Sequence, residues 1–545
     1  MIKHKRSLLR SGLLSLLMIS TLASCRGGSD ETGGGNKPNT SGGDIAPTNT
    51  HAITNLDGLA DDLILDENGK AIFEEEVNLK VWCIIGDPDQ KVFNDLVTKF
   101  NNEYSGLVHL NMTYVGHFDF YNNLQNTFTN DKDSMPDVLV MHNEKTAEYA
   151  DRGYLLPLDE ITKKTTIETN YSSVYENIDR VTMYNNKRYA VPMDAHGFVT
   201  SIRQDIIKKN ELGFDGNTRF IPNTRQEYQQ LLEGLRSKAD AGELWTRNLN
   251  KGQNHAWKKA DKNVFYPEYF QSTDPDGLSA LYANNGKLAD STGTKITFHE
   301  NEGFKTYILD QVKRFNNRLM SDASGGNAES FGAGNIALFP EGPWWVSQQY
   351  TLQWNNTELT KAGEKGVTAE DAADPIYSKP YIASRPTGWW TTDENKDSEN
   401  GKKWYGNGHA ISLTNHITSA QSAAAAMTFI NWFTQGKDSD TDSYHLATWC
   451  NSGHIPAYKN VYDSEEYKNY LSKNMTLRAL GNPSDIVAME GLAYETTIFN
   501  SLSTAISLVQ SQLKTSAGCT EEGALELITK AVEDGQASLD LEMLG

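Results

Sequence analysis

Three alternations of strand and helix near the start of the body constrain this chain more than any other feature. Val77, Leu79 and Val81 alternate as a strand, and Asp87-Pro88 then opens a helix with Val92, Phe93, Leu96, Val97 and Phe100 on one face. Val108, Leu110, Met112 and Tyr114 repeat the strand pattern as far as Gly116, and Tyr121, Leu124 and Phe128 mark a second helix. Asp137 to Met141 form a third strand before a helix around Ala147 and Tyr149. Strands separated by helices pair in parallel, because a parallel pair needs a crossover of a dozen or more residues. The pattern predicts an α/β fold: a parallel sheet with helices packed on its faces. A short Asn68-Gly69 turn between apolar segments predicts a hairpin that leads into this body, over residues 51–74.

Sheets of this kind bind ligands beyond the carboxyl ends of their strands. The residues after each strand are therefore the first site candidates. They are Trp82 and Asp87 after the first strand, His117, Phe118 and Asp119 after the second, and His142 and Asn143 after the third. Each loop offers an aromatic or imidazole ring beside a carboxylate or amide. That mixture suits a polyhydroxylated ligand, whose C–H faces rings can cover and whose hydroxyls carboxylates and amides can bind. Every one of these residues also has an ordinary role open to it. Trp82 fits a core, Asp87 a helix cap, and His117 and His142 a solvated surface. The coincidence at three strand ends is what carries the reading.

The first fifty residues have no such pattern. Lys3, Lys5, Arg6 and Arg10 precede an apolar run from Leu13 to Ala23, broken by Ser15, Ser20 and Thr21. A membrane-spanning helix needs about 20 apolar residues and this run is about half that, so it reads as a secretory signal over residues 1–24. Residues 26–50 are rich in Gly, Ser, Thr and Asn and predict a flexible tether. Beyond it roughly 500 residues remain, which makes two domains the default. The formal net charge is −21, and a surface this acidic repels phosphate backbones, so nucleic acid is not an expected partner. The cysteines are Cys25, Cys83, Cys450 and Cys519. Their spacing suits neither a disulfide framework nor a zinc site, although a Cys83–Cys450 bridge stays open.

Several segments carry a family resemblance. Leu22-Ala23-Ser24-Cys25 resembles the bacterial lipobox, which implies lipidation of Cys25 and a lipid anchor as the only membrane attachment. Asp151-Arg152-Gly153-Tyr154-Leu155-Leu156-Pro157-Leu158-Asp159 resembles the stretch after the third strand in family 1 extracellular solute-binding proteins, the maltose-binding-protein-like group. Arg188 to Met193 is similar to the segment where that family's chain first crosses between lobes, and Phe198 to Asp205 to the strand that opens its second lobe. Gly334 to Trp345 resembles its "small-Gly-x-Ala-Met-x-x-x-Gly-x-Trp" segment, and Gly408 to Leu413 with the Ala-rich helix from Ser419 to Phe433 its return strand and helix.

The resemblance implies a two-lobed periplasmic-binding-protein-like fold of type II, with a hinge and an interlobe cleft. On this mapping residues 75–193 and 407–456 form the first lobe, and 194–406 and 457–545 the second. It also implies second-lobe site residues: Trp344 or its neighbour Trp345, with Glu341 beside them, Tyr494 or Phe499 on a late helix, and Trp389 and Trp390 before the return crossing. Asp194 and His196 on the first crossing, and Tyr266, complete the set. Polar stretches near residues 245–262 and 391–403 read as surface insertions. The implied function is an extracellular lipoprotein that hands carbohydrate to an ABC permease with its cytoplasmic ATPase, as a monomer without catalysis. A surface glycoside hydrolase, a peptide or polyamine binder and a sensor-coupled binder are the alternatives.

Signature chemistry is missing from the sequence. No phosphate-loop, zinc-protease or hydrolase-elbow motif occurs. Asp438, Asp440 and Asp442 open like a calcium loop, but Ser443 stands where the turn wants glycine and Trp449 where a bidentate Glu is needed. No catalytic residue, cofactor or metal is expected from these patterns.

Overall fold

Alternation places Leu79, Val81 and Cys83 on one face of strand β1 (Val77–Cys83), where all three are buried, and Asn78 and Lys80 on the other, where they are exposed. A computed structural model describes residues 51–269, 274–321, 328–343, 359–385 and 388–544. The chain continues through α1 (Gln90–Glu103), β2 (Val108–Tyr114), α2 (His117–Asn130) and β3 (Val138–His142). β1 pairs in parallel with both β2 and β3, as the alternation predicts. The Asn68-Gly69 hairpin also forms, pairing Ile64–Leu65 with Ala71–Ile72.

After β4 (Val191–Pro192) and β5 (Asp194–Ala195), strand β6 (Val199–Arg203) enters a second sheet. Helix α3 (Arg225–Asp240), strand β7 (Tyr266–Glu268), helix α4 (Glu302–Asn316), β8 (Ile336–Glu341) and β9 (Tyr381–Ser384) follow, and the sheet order is β7-β8-β6-β9. The chain then returns. β10 (His409–Leu413) inserts antiparallel between β3 and β4, which gives the first sheet the order β2-β1-β3-β10-β4. Helix α5 (Ala420–Gln435), strand β11 (Ile455–Pro456), and the long helices α6 (Glu495–Leu513) and α7 (Glu521–Met543) complete the fold.

Each sheet has its own core. Around the first, Leu79, Val81, Val138 and Val140 join Phe93, Phe100 and the buried alanines of α5, while Leu139 and Met141 face a separate cluster with Phe120 and Leu124. The Ala-rich helix starts at Ser419, whose hydroxyl accepts the Ser422 N–H at 3.0 Å. Ala423 to Ala426 are all fully buried, so small side chains let this helix lie close on the sheet. Around the second sheet, Ile202, Ala337 and Leu338 join Tyr228, Leu231, Phe304, Ile308 and residues of α6 and α7.

Several expectations are corrected here. Trp82 lies inside β1, not after it, and packs half-buried against the cluster of Phe120 and Leu124. His117, Phe118 and Asp119 open α2 instead of forming a loop. The first helix begins at Gln90 behind Asp89, so Asp87 is not its cap. Cys83 and Cys450 are buried free thiols and form no bridge. Trp389 and Trp390 are core: Trp389 stacks on Tyr228 with ring centroids 4.4 Å apart, and its Nε1–H donates to the Pro222 carbonyl at 2.6 Å. Trp390 meets Tyr228 and Tyr307 edge-on. The stretch 245–262 is only partly surface, because Arg247 within it is fully buried.

Arg247 shows how the second lobe handles buried charge. Asp205 accepts from Arg203 Nε at 2.9 Å, Arg203 Nη2 at 3.0 Å and Arg247 Nε at 2.8 Å, and all three side chains are fully buried. Removing one member of such a group leaves an uncompensated charge, at a cost of about 3–5 kcal/mol. Asp205→Ala is therefore expected to lower unfolding free energy by about that amount in urea denaturation. Asp215→Ala, which breaks the Asp215–Arg219 pair on its exposed aspartate side, is expected to cost about 1 kcal/mol.

Candidate functional site

The chain passes between the two sheets through segments that run side by side. β5 pairs antiparallel with β11, His196 bridges Asn407, and the Met193 N–H donates to the His409 carbonyl at 2.8 Å. The Ala457 N–H donates to the Met193 carbonyl at 3.1 Å. Three stretches, 193–196, 407–409 and 454–457, are thus held in one hydrogen-bonded ribbon. They approach so closely that a Cβ on Gly408 would sit 2.1 Å from the Asp194 carbonyl oxygen, and one on Gly197 1.9 Å from the Trp404 ring.

Asp194 stands at the centre, fully buried. Trp449 Nε1–H donates to its Oδ2 at 2.7 Å, and the His409 backbone N–H donates to its Oδ1 at 3.1 Å. His196 Nδ1 lies 3.2 Å from Oδ1 and His409 Nδ1 3.0 Å from Oδ2. Burial opposes ionisation, but the imidazoles of His409, His454 and His196 outweigh it and hold the carboxyl well below the usual range. One donor atom each from Asp194, His196, His409 and His454 lies within 4.8 Å of all the others.

The carboxyl end of the first sheet reaches this cluster. His142, the last residue of β3, has its ring 5.2 Å from that of His409 and 5.9 Å from that of His196. Asn143 is buried and its N–H donates to the Gly408 carbonyl at 2.9 Å. Next in sequence, Glu144 and Lys145 lead into a buried ion network. Lys145 contacts Glu495 directly and lies 3.7 Å from Glu148, while Arg152 pairs with Glu148 at 2.7 Å and Glu542 at 2.8 Å. Glu495 and Glu542 belong to α6 and α7, so this network joins the end of the first sheet to helices of the second core.

Of the residues expected at the site, the structure gathers His142, Asn143, Asp194 and His196. Asp87 and Asp119 are exposed near the ends of β1 and β2. Tyr494 and Phe499 flank Glu495 and pack half-buried against the second core. Tyr266 lies on edge strand β7, with the Arg318 guanidinium 5.6 Å from its ring centroid. Trp344 and Trp345 lie outside the described residues, and of Glu341 only its place at the end of β8 is described. Two surface concavities of about 610 and 590 Å³ open elsewhere: the first lies along α7, and the second is lined by Trp82, Lys80 and His109. Neither is lined by a residue of the histidine cluster. Sequence reasoning missed His409, His454, Trp449, Lys145 and Glu495. One signal was available, since each of the three crossing stretches carries a histidine out of twelve in the chain.

The ion network holds more carboxylates than cations. Burial, reinforced by Glu144 and Glu148, raises the Glu495 carboxyl from its ordinary value near 4.5 to about 7 despite Lys145. A carboxyl raised on folding binds a proton that the unfolded chain has released, so its stabilising contribution is present at low pH and is lost as pH rises through that window. Unfolding free energy measured from pH 4.5 to 7.5 is expected to contain this falling component, and Glu495→Gln is expected to flatten it.

The GacH receptor of Streptomyces glaucescens, solved unliganded and with acarbose, is similar with a TM-score of 0.57 at 15% identity, covering 85% of this chain and 99% of that one. The sugar-binding protein MalE of Xanthomonas citri gives 0.59 at 14% identity, covering 85% and 98%. The ABC transporter associated binding protein of B. animalis subsp. lactis, in complex with β-1,6-galactobiose, gives 0.53 at 18% identity, covering 85% and 98%. These likenesses establish the two-lobed fold. No curated protein matches the chain in sequence. Among the described residues no helix is long and apolar enough to cross a membrane. Residues 95–473, well over half of the chain, match the family of bacterial extracellular solute-binding proteins, and the chain belongs to that family.

Proposed function

We propose that this protein is the carbohydrate-binding component of an ABC importer, anchored outside the cell by lipid on Cys25, and that it releases its ligand chemically unchanged to a permease driven by a cytoplasmic ATPase. The observation that carries this reading is the convergence of the three crossing stretches on Asp194, beside His142 and Asn143 at the carboxyl end of the first sheet. Such a position lets the half-buried His142 face a ligand held between the lobes. Support for carbohydrate comes from fold neighbours described with acarbose, maltose, mannobiose and β-1,6-galactobiose. The mixture of rings, amides and carboxylates is in keeping with a neutral, hydroxyl-rich guest.

The lobes are assigned as residues 75–193 with 407–456, and 194–406 with 457–545, except that Tyr458, Val461, Tyr467, Leu477 and Leu480 pack into the core of the first sheet. Sugar docks between them with His142, Asn143, Asp87 and Asp119 on one side and Trp344, Tyr494 and Phe499 on the other. Closure is favourable only through contacts that the closed state alone makes. Trp344 supplies the main one, by covering an apolar sugar face.

Fluorescence titration against a panel of oligosaccharides is expected to find a ligand whose affinity falls about tenfold or more in Trp344→Ala. Equal affinities would remove Trp344 from the site. The bound glycan is expected to be recovered intact by product analysis after long incubation, and any cleavage would favour the hydrolase alternative. Cys25→Ala is expected to shift the protein from the membrane fraction to the medium.

A further inference from the structure

Among the described residues the ion-pair partners of the Asp194 carboxylate are the imidazoles of His196 and His409, and His454, on the third crossing stretch, brings a donor atom within 4.8 Å of the rest. Three imidazoles and one carboxylate are a donor set suited to zinc and neighbouring first-row divalent ions, whereas magnesium and calcium favour oxygen alone. Their surroundings resemble those of a built site. Trp449 Nε1–H, at 2.7 Å, fixes the carboxylate through Oδ2. Ser452 Oγ lies 3.1 Å from His454 Nδ1, which leaves Nε2 as the ring's open donor atom. Outer partners of this kind orient ligands and set ring tautomers in metal sites.

A second observation points to the same place. Asp89, at the start of α1, is only 7% exposed, its Oδ2 lies 3.7 Å from His454 Nε2, and among the described residues its buried Oδ1 has no hydrogen-bond partner. A second carboxyl group turned toward the imidazoles, with an unsatisfied oxygen, is costly unless something polar or cationic meets it.

We propose that Asp194, His196, His409 and His454 bind one divalent transition-metal ion of the zinc class, which fastens the three crossing stretches to one another. The ion carries two positive charges against the single negative charge of Asp194, with the imidazoles bound in their neutral form, and Asp89 stands next to the set as a further acceptor. The metal site shares its crossing stretches with the carbohydrate reading but does not depend on it, since the sugar is set against His142 and Asn143 and not against the four buried ligands.

The test uses the full chain, stripped with a chelator and dialysed against zinc. One zinc per chain is expected by elemental analysis, and cobalt in its place is expected to give the visible absorption of a four-coordinate site. His409→Asn and His454→Gln are expected to lose the stoichiometric ion, while His51→Ala, a change on the exposed surface, keeps it. Trp449→Phe retains every ligand and is expected to weaken zinc about tenfold by freeing the carboxylate, which keeps the test open if a ligand variant fails to fold. Less than one zinc per chain, or equal zinc in wild type and in folded His409→Asn and Trp449→Phe, would overturn the proposal. Glycan titration of the stripped and loaded protein separates the two ideas. Zinc without glycan binding upholds the metal site and sinks the carbohydrate reading, and glycan binding without zinc does the reverse.

Discussion

A carboxylate removed from water must find its donors inside the protein, and Asp194 finds them on three separate stretches of chain. An unmet buried charge costs several kcal/mol, a large share of the net stability of any domain. The requirement therefore fixes how the crossings lie. β5, the Asn407–His409 stretch and β11 must run side by side, and the glycines at 197 and 408 are the residues that allow backbone and ring to come so near. What joins the two lobes is a polar ribbon with a charge at its centre, not a loose linker.

The lobes solve the same electrostatic problem in two ways. Asp205 in the second is matched by two guanidinium groups and stays ionised despite full burial, because Arg203 and Arg247 outweigh desolvation. Where α6 and α7 meet the end of the first sheet, the carboxylates of Glu148, Glu495 and Glu542 share Lys145 and Arg152, and Glu144 lies beside them with His142. A balanced group acts as a fixed staple. An unbalanced one is sensitive to its surroundings, and it lies where the two halves of the protein touch.

Most of the first sheet was legible in the sequence because its strands alternate cleanly and are separated by amphipathic helices. β2 has the limits that its alternation implied, and β3 is displaced by one residue. The central β10 was reached by resemblance only, since a short run buried on both faces has no periodicity to read. Trp389 and Trp390 were misplaced for a related reason: tryptophan suits a sugar and a core equally well, and the packing of Tyr228 decides between them. Asp194 and His196 were singled out through the crossing motif. His409 and His454 were not, because they stand more than two hundred residues from Asp194 and only the folded chain brings them to it.

The position of β10 also fixes an order of events. It fills the gap between β3 and β4, yet it is made only after the whole of the second sheet. The amino-terminal half is left with an open seam until residues 409–413 arrive, so it cannot close its sheet as it emerges from the ribosome. Long-range pairing of this kind is slow to form. The first sheet therefore becomes whole only when residues from opposite ends of the body have met, with the second sheet lying between them along the chain.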